Sequence, residues 1–193
     1  MSNNNEILLF FGSFNPIHIG HMAIANYLTE FCDIHELWFV ITPQNPTKKA
    51  STLLKDRDRQ YLTQLAIEDY PKFRVSDIEF YLPKPNYTIN TLTYLKEKYP
   101  DVNFSILMGG DNLESLHKWK NYRIILDNYK IYVYKRPCSE LPEFENANIN
   151  IIDAPQMEIS SSFIRNAIKN NKDIRYFLPP KVYEYIMKMG WWK

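Results

Sequence analysis

Short apolar runs alternate with longer amphipathic stretches along the chain. The runs at 7–11, 37–41 and 104–108 are almost continuously apolar, which is typical of strands buried on both faces. Further strands are predicted at 73–80, 130–134 and 149–152. Between them, apolar residues recur at helical spacing, as at Ile24, Leu28 and Phe31. One helix is predicted to begin near residue 20. Others are predicted at 56–69, 160–170 and 181–189, and a further helix is predicted to end near residue 99.

Strands that alternate with helices over the whole chain predict right-handed crossovers between parallel strands. The fold class is therefore α/β, with a doubly wound, mostly parallel sheet, helices on both faces and a small helical C-terminal part. The length of 193 residues suits a single domain, 1–193, with a helical subregion at about 158–193. Ligands of such sheets bind at the carboxyl ends of strands, so residues directly after strands are the candidates for chemistry.

Composition and charge narrow the function classes. A chain with 45% hydrophobic and 23% charged residues is an ordinary globular protein, and a net charge of +1 argues against a duplex nucleic-acid partner. No apolar run approaches the roughly 20 residues that span a bilayer, and no signal peptide is apparent. Cys32 and Cys138 lie far apart and form no metal or redox motif. We therefore predict a cytoplasmic protein without membrane or nucleic-acid partners.

The first candidate site follows the first strand, where residues 12–21 read GSFNPIHIGH. Gly12 allows close backbone approach to a ligand, and Pro16 stiffens the turn. Gly20 lies where the loop becomes a helix, whose unpaired amide groups favour an anion. His18 and His21 are three residues apart, so both imidazoles can face the same ligand and stabilise charge on a phosphorus.

Other interpretations of this segment are less favoured. A single histidine is usually structural, but two of the four histidines of the chain stand here between glycines and a proline. A metal site lacks a third ligand at suitable spacing. The glycine-rich loop that ends in Gly-Lys-Ser/Thr is absent from the sequence, which argues against hydrolases of that type.

A second candidate site lies near the C-terminus, where residues 159–165 read ISSSFIR. Ser160 or Ser161 can cap a helix, and Arg165 follows about one turn later as a permanent cation. In isolation, an ordinary serine cap with a surface arginine is the better explanation of this stretch, because such caps are common.

Together the two segments resemble the signatures of the nucleotidyltransferase superfamily, whose fold is Rossmann-like. The resemblance implies that Ser161, Ser162 and Arg165 hold the β- and γ-phosphates of ATP, while His18 and His21 attend the α-phosphate. It implies catalytic roles for His18, His21 and Arg165. The ATP-binding set that it implies is Gly12, Ser13, Phe14, Gly20, Gly109, Asp111, Ile159, Ser160, Ser161, Ser162 and Arg165.

Within the superfamily, the chain is similar from end to end to bacterial nicotinate mononucleotide adenylyltransferases. The similarity covers the segments at 46–48, 87–92, 110–120, 135–137 and 178–190. It implies that Trp119 stacks on the pyridine ring, and that Thr88 and the backbone amide of Lys120 receive the nicotinate carboxylate. Lys48 and Arg136 then neutralise phosphates.

Four positions depart from the family pattern. Asn90 stands where aspartate is commoner, Ser162 replaces the usual threonine, and the other two lie in or beside the first candidate segment. Asn15, counted with the substrate-binding residues, stands where aspartate is commoner, and Phe11 replaces the first glycine of a pair. If the usual aspartate contacts substrate, Asn15 puts the substrate preference in doubt.

The resemblance implies adenylyl transfer from ATP to nicotinate mononucleotide, with Mg²⁺ carried by the ATP phosphates and no dedicated metal ligands on the protein. A homo-oligomer is compatible with the sequence. Two alternatives remain open: another acceptor, either nicotinamide mononucleotide or phosphopantetheine, and a nucleotide-binding protein without catalysis.

Overall fold

One sheet of six parallel strands organises the part of the chain that the computed structural model describes, residues 6–32, 34–44, 53–134, 141–155 and 157–193. The strands are β1 (Glu6–Gly12), β2 (Glu36–Ile41), β3 (Phe73–Ser76), β4 (Asn103–Gly109), β5 (Lys130–Tyr134) and β6 (Ile149–Ile152). Their spatial order is β3-β2-β1-β4-β5-β6. This order and the parallel pairing confirm the predicted α/β fold.

The central strand β1 shows why the apolar runs become strands. Its residues pair with β2 on one side and β4 on the other, so that Phe10 lies opposite both Phe39 and Leu107. Leu8 and Leu9 are completely buried although they point to opposite faces of the sheet. A strand covered on both faces needs apolar residues at successive positions, which explains the continuous run.

Seven α-helices cover the sheet in the described residues. They are α1 (Ile19–Phe31), α2 (Asp56–Ile67), α3 (Thr88–Lys98), α4 (Gly110–Glu114), α5 (Tyr122–Asn128), α6 (Ser161–Lys169) and α7 (Pro180–Met189). One apolar core combines α1, α2, α6 and α7 with residues of β1 such as Leu8, and a second combines α3, α4 and α5 with residues such as Leu9. The prediction of helices on both faces is therefore confirmed.

The predicted strand at 73–80 is wrong in its second half. β3 ends at Ser76, and a 3-10 helix follows at Ile78–Tyr81. Glu79 explains the change, because its carboxylate is buried and accepts a 2.7 Å hydrogen bond from the Thr91 hydroxyl of α3. A short apolar run does not by itself distinguish a strand from the buried side of a helical turn.

The strand order places a switch point between β1 and β4. Chain connections leave these neighbouring strands in opposite directions, which opens a crevice at their carboxyl ends. The loop after β1 and the start of α4 lie at this crevice, and α6 closes it from the C-terminal part of the chain. In the described residues, no helix is both long enough and apolar enough to cross a membrane.

Candidate active site

A cavity of about 780 Å³ lies at the carboxyl ends of β1, β4 and β5. Its volume falls in the range of roughly 300–1,000 Å³ that is typical of ligand sites. The predicted site residues that line it are Gly12, Ser13, Phe14, Asn15, His18, Gly20, His21, Asp111, Ile159, Ser160, Ser161, Ser162 and Arg165. The two sequence segments, more than a hundred residues apart, thus share one cavity.

Gly12 is required by the tight turn of the loop that follows β1. A Cβ atom at this position would lie 2.7 Å from Cζ of Phe14, which is closer than any ordinary contact. Phe14 itself has a φ of 44°, so the chain reverses sharply and its ring folds back over Gly12. The glycine therefore lets the loop fold against the end of the strand.

The two histidines stand at the first turn of α1 with their rings stacked, 3.6 Å between centroids and 25° between planes. The backbone N–H of His18 donates a 3.2 Å hydrogen bond to Nδ1 of His21. Because Nδ1 is an acceptor, Nε2 carries the hydrogen of the His21 ring. That ring therefore presents a donor, as contact with a phosphate oxygen requires.

His18 has a different environment. It is 5% exposed, and its Nδ1 atom is buried without a hydrogen-bond partner among the described residues. Burial lowers the pKa of His18 to about 4, so the ring is neutral at physiological pH. Near neutral pH this ring can therefore contribute hydrogen bonds but no positive charge to the cavity.

Gly20 makes room for this histidine. A Cβ atom at position 20 would lie 3.1 Å from Nδ1 of His18, tighter than most real contacts. The glycine in His-Ile-Gly-His thus serves the packing of the imidazole as well as the helix start.

The start of α6 is bonded directly to the loop after β1. The Ser161 hydroxyl donates a 2.8 Å hydrogen bond to the carbonyl oxygen of Pro16. Arg165 donates from Nη1 to the carbonyl oxygen of Asn15 at 2.8 Å and from Nη2 to Oγ of Ser162 at 3.1 Å. Burial lowers the pKa of Arg165, but the guanidinium keeps its charge at neutral pH.

Ser160 is the N-cap of α6, which decides between the two serines that the sequence left open for this position. Its hydroxyl oxygen accepts a 3.1 Å hydrogen bond from the backbone N–H of Phe163. The amides of a first helical turn have no acceptor within the helix, and Ser161 and Ser162 of this turn line the cavity. The structure therefore brings two helix N-termini, those of α1 and α6, to the same cavity.

Asn15 is buried and links two loops. Its Oδ1 atom accepts a 3.1 Å hydrogen bond from the backbone N–H of Leu54, just before α2. This geometry favours loop ordering as the function of its side chain. Asparagine supplies the same acceptor oxygen as aspartate, and it does so without adding a buried charge.

Thr88, Trp119 and Lys120, the described residues predicted to bind the acceptor base, do not line this cavity. Thr88 and Lys120 lie near Tyr87. Lys120 places its Nζ atom 4.9 Å from the centre of the Tyr87 ring, and Thr88 follows Tyr87 as the first residue of α3. Trp119 is half-buried and packs, like Tyr87, against the second core. Lys48 and Arg136 lie outside the described residues.

Gly109 ends β4 without lining the cavity. A Cβ atom there would lie 2.5 Å from Oδ1 of Asp111 and 3.1 Å from the hydroxyl of Tyr134. Gly109 thus allows these two cavity-lining side chains to approach each other.

Sequence reasoning missed several residues of the site. Tyr134 and Glu158 line the cavity, and Arg59 lies buried beneath the loop after β1. Of these three residues, only Arg59 could have been found from the sequence, because it lies one turn before Leu62 on the apolar face of the predicted helix. An arginine at such a position indicates a buried polar network.

Comparison with known proteins agrees with this geometry. Residues 9–167 match the family described as cytidylyltransferase-like. A probable nicotinate-nucleotide adenylyltransferase of Flavobacterium johnsoniae is 54% identical over 191 residues, which cover 97% of this chain and 99% of the relative. The relative of the same description from Bacteroides fragilis is 50% identical over 185 residues, covering 93% and 90%.

Among solved structures, the nicotinic acid mononucleotide adenylyltransferase of Plasmodium falciparum complexed with NaAD shares the fold, with a TM-score of 0.81, 21% identity and 97% coverage of both chains. The fold and the cavity with its two helix N-termini together define a nucleotidyltransferase. More specifically, the chain belongs to the cytidylyltransferase-like family and, within it, to the nicotinate-nucleotide adenylyltransferases.

Proposed function

We propose that the cavity transfers the adenylyl group of ATP to nicotinate mononucleotide, a step of NAD biosynthesis. The observation that carries this proposal is the meeting of two helix N-termini at one cavity, with Arg165 bonded to the loop between them. Two anion sites at one crevice suit a polyphosphate better than a single anion. Membership in the nicotinate-nucleotide adenylyltransferases supports the choice of acceptor.

The start of α6 is proposed to bind the β- and γ-phosphates. Ser161, Ser162 and Arg165 line that end of the cavity, and Arg165 adds a positive charge to the amide groups of the helix. The guanidinium is already held by two protein oxygens, so little ordering is required when the phosphates arrive. Asp111, exposed at the start of α4, is proposed to bind the adenosine ribose.

The reaction itself needs positioning more than acid–base chemistry. A 5′-phosphate oxygen of nicotinate mononucleotide forms a bond to the α-phosphorus, and the bond from that phosphorus to the bridging oxygen breaks to release pyrophosphate. A phosphate monoester is already an anionic nucleophile at pH 7, so no general base is required. We assign His21 Nε2–H and the neutral ring of His18 to the charge that develops on the α-phosphate oxygens.

The acceptor is proposed to extend toward Trp119 and α3. Trp119 offers a half-buried aromatic surface for the pyridine ring, and the Thr88 hydroxyl and the Lys120 amide are suited to its carboxylate. Lys48 and Arg136 keep their proposed roles at the phosphates. Asn15 is proposed to act by holding the loop at the acceptor side in place.

Mg²⁺ is proposed to arrive with ATP. The described residues include no group of three or more His, Cys, Asp or Glu side chains that could hold a metal ion. A hexacoordinate Mg²⁺ that draws its ligands from phosphates and water fits this donor set, and it would neutralise phosphate charge. We also propose that residues 1–193 form one domain and that the protein acts in the cytoplasm, alone or as a homo-oligomer.

The test is pyrophosphate release with Mg²⁺-ATP and, in parallel, nicotinate mononucleotide, nicotinamide mononucleotide or phosphopantetheine. We expect a clear preference for nicotinate mononucleotide. Preference for the amide would preserve the chemistry but overturn the roles of Thr88 and Lys120. If no acceptor supported release, the adenylyl transfer itself would be refuted.

A further inference from the structure

Arg59 is an arginine without any exposed surface, situated on α2 behind the active-site cavity. Burial of its charge is unfavourable and lowers its pKa, although the guanidinium stays protonated. Asp56 balances part of that charge through a 2.7 Å ion pair with Nη2. Arg59 does not line the cavity, so any influence on the reaction must act through other groups.

Those groups are three backbone carbonyl oxygens from separate segments. Nη1 donates to the carbonyl oxygens of Ser13 and, at 3.0 Å, of Thr42, while Nε donates to that of Leu54 at 3.2 Å. Ser13 belongs to the loop after β1. Thr42 and Leu54 lie on either side of the connection between β2 and α2, so one guanidinium fixes three chain segments around the site.

The bond to Ser13 fixes the orientation of the peptide group that joins Ser13 to Phe14. In a trans peptide, the carbonyl and the following N–H point in opposite directions. When Arg59 holds the Ser13 oxygen on the buried side, the N–H of Phe14 points the other way, and Ser13 and Phe14 both line the cavity. The neighbouring carbonyl of Gly12 is likewise held on the β2 side, by the N–H of Thr42 at 2.9 Å.

We propose that Arg59 is a positioning residue for adenylyl transfer, which turns the Phe14 amide toward the ATP phosphates by holding the carbonyl of Ser13. This inference rests on the proposed function. A purely stabilising role is a weak explanation, because a well-packed apolar side chain stabilises a core as well as a buried ion pair does. Only the guanidinium fork can reach three carbonyl oxygens and a carboxylate at once.

The experiment compares Arg59→Met and Arg59→Lys with a matched control, Arg57→Met. Arg57 lies two residues away on the same helix, but it is exposed and forms a surface ion pair with Asp77 at 2.8 Å. For each variant, kcat and both KM values come from pyrophosphate release well below the melting midpoint. The dissociation constant of ATP comes from calorimetry, which does not depend on turnover.

A misplaced phosphate loop should cost kcat about 100-fold in Arg59→Met, with a KM for the acceptor that changes less than about threefold. Arg59→Lys keeps the charge but loses the fork, and we expect a kcat about tenfold below that of the wild type. The Arg57→Met control should match the wild type. The proposal is overturned if folded Arg59→Met turns over within threefold of the wild type, or if its loss is no greater than that of the control.

Two further outcomes are also decisive. If Arg59→Met does not fold, the folded Arg59→Lys variant decides, and a wild-type kcat there would overturn the proposal. If the wild-type protein itself releases no pyrophosphate, the proposed function fails, and ATP affinity becomes the measure for Arg59. A roughly tenfold weaker binding of ATP by Arg59→Lys would then support its positioning role, and unchanged affinity would refute it.

Discussion

The burial of His18 leads to a prediction about the pH dependence of stability, which can be tested without measuring catalysis. Replacing it with glutamine keeps a polar side chain of similar reach but removes the titration. In the folded protein, burial lowers the pKa of His18 to about 4 from an ordinary value of 6.5. The unfolded chain therefore binds a proton at this residue over a pH range in which the folded protein does not.

The sign and size of the effect follow from that difference. The stability that neutral His18 preserves is complete above about pH 6.5 and is lost as the pH falls toward 4, because protons favour the unfolded chain. With pKa values of 6.5 and about 4, the linkage relation gives a loss of about 2 kcal/mol between pH 7.5 and pH 5. The His18→Gln variant should lack this contribution to acid destabilisation.

Urea unfolding at pH 7.5 and pH 5 measures the difference. The wild-type protein should lose about 2 kcal/mol more free energy of unfolding than His18→Gln over this interval. His35→Gln, which changes an exposed histidine, is the control and should follow the wild type. Equal losses in the wild type and His18→Gln would refute the claim that the buried ring is held neutral.

Three further predictions concern the site. His21→Asn should lower kcat about 100-fold, with little change in the KM for ATP, because a hydrogen-bond donor to the transition state is lost. Unchanged turnover in steady-state assays would exclude a catalytic role for His21. Trp119→Ala should raise the KM for nicotinate mononucleotide about tenfold and leave that for ATP unaltered, and an equal rise in both would remove Trp119 from the acceptor site. Gly12→Ala should lower stability by about 1–3 kcal/mol, since the new methyl would lie 2.7 Å from the ring of Phe14, and an unshifted melting temperature would contradict this packing.

Much of the sheet was predictable because strands buried on both faces leave a strong pattern. The bounds predicted at 130–134 and 149–152 match β5 and β6, and the N-cap of α6 is one of the two serines that the sequence offered. The common location of the two candidate segments was implied by the family resemblance, which assigned both segments to the phosphates of one ATP. The family resemblance supplied the residue roles, which periodicity alone does not provide.

The remaining features depend on contacts that sequence spacing does not encode. The 3-10 helix at Ile78–Tyr81 forms where Glu79 must reach the hydroxyl of Thr91. The neutrality of His18 depends on how completely neighbouring segments bury it, which histidine spacing does not reveal. The bonds of Arg59 join three segments distant in sequence, so only the folded chain identifies its partners.

A chain of net charge +1 can bind two polyanionic substrates, because few of the side chains at this site need to carry a full charge. Serine side chains at the start of α6 line the described part of the cavity, and Arg165 adds a cation that already donates to the carbonyl oxygen of Asn15. Donors fixed by protein contacts need little reorganisation as charge moves from nucleophile to leaving group. We therefore expect the contacts between α6 and the loop after β1 to contribute to catalysis, because they fix the residues proposed to bind the phosphates.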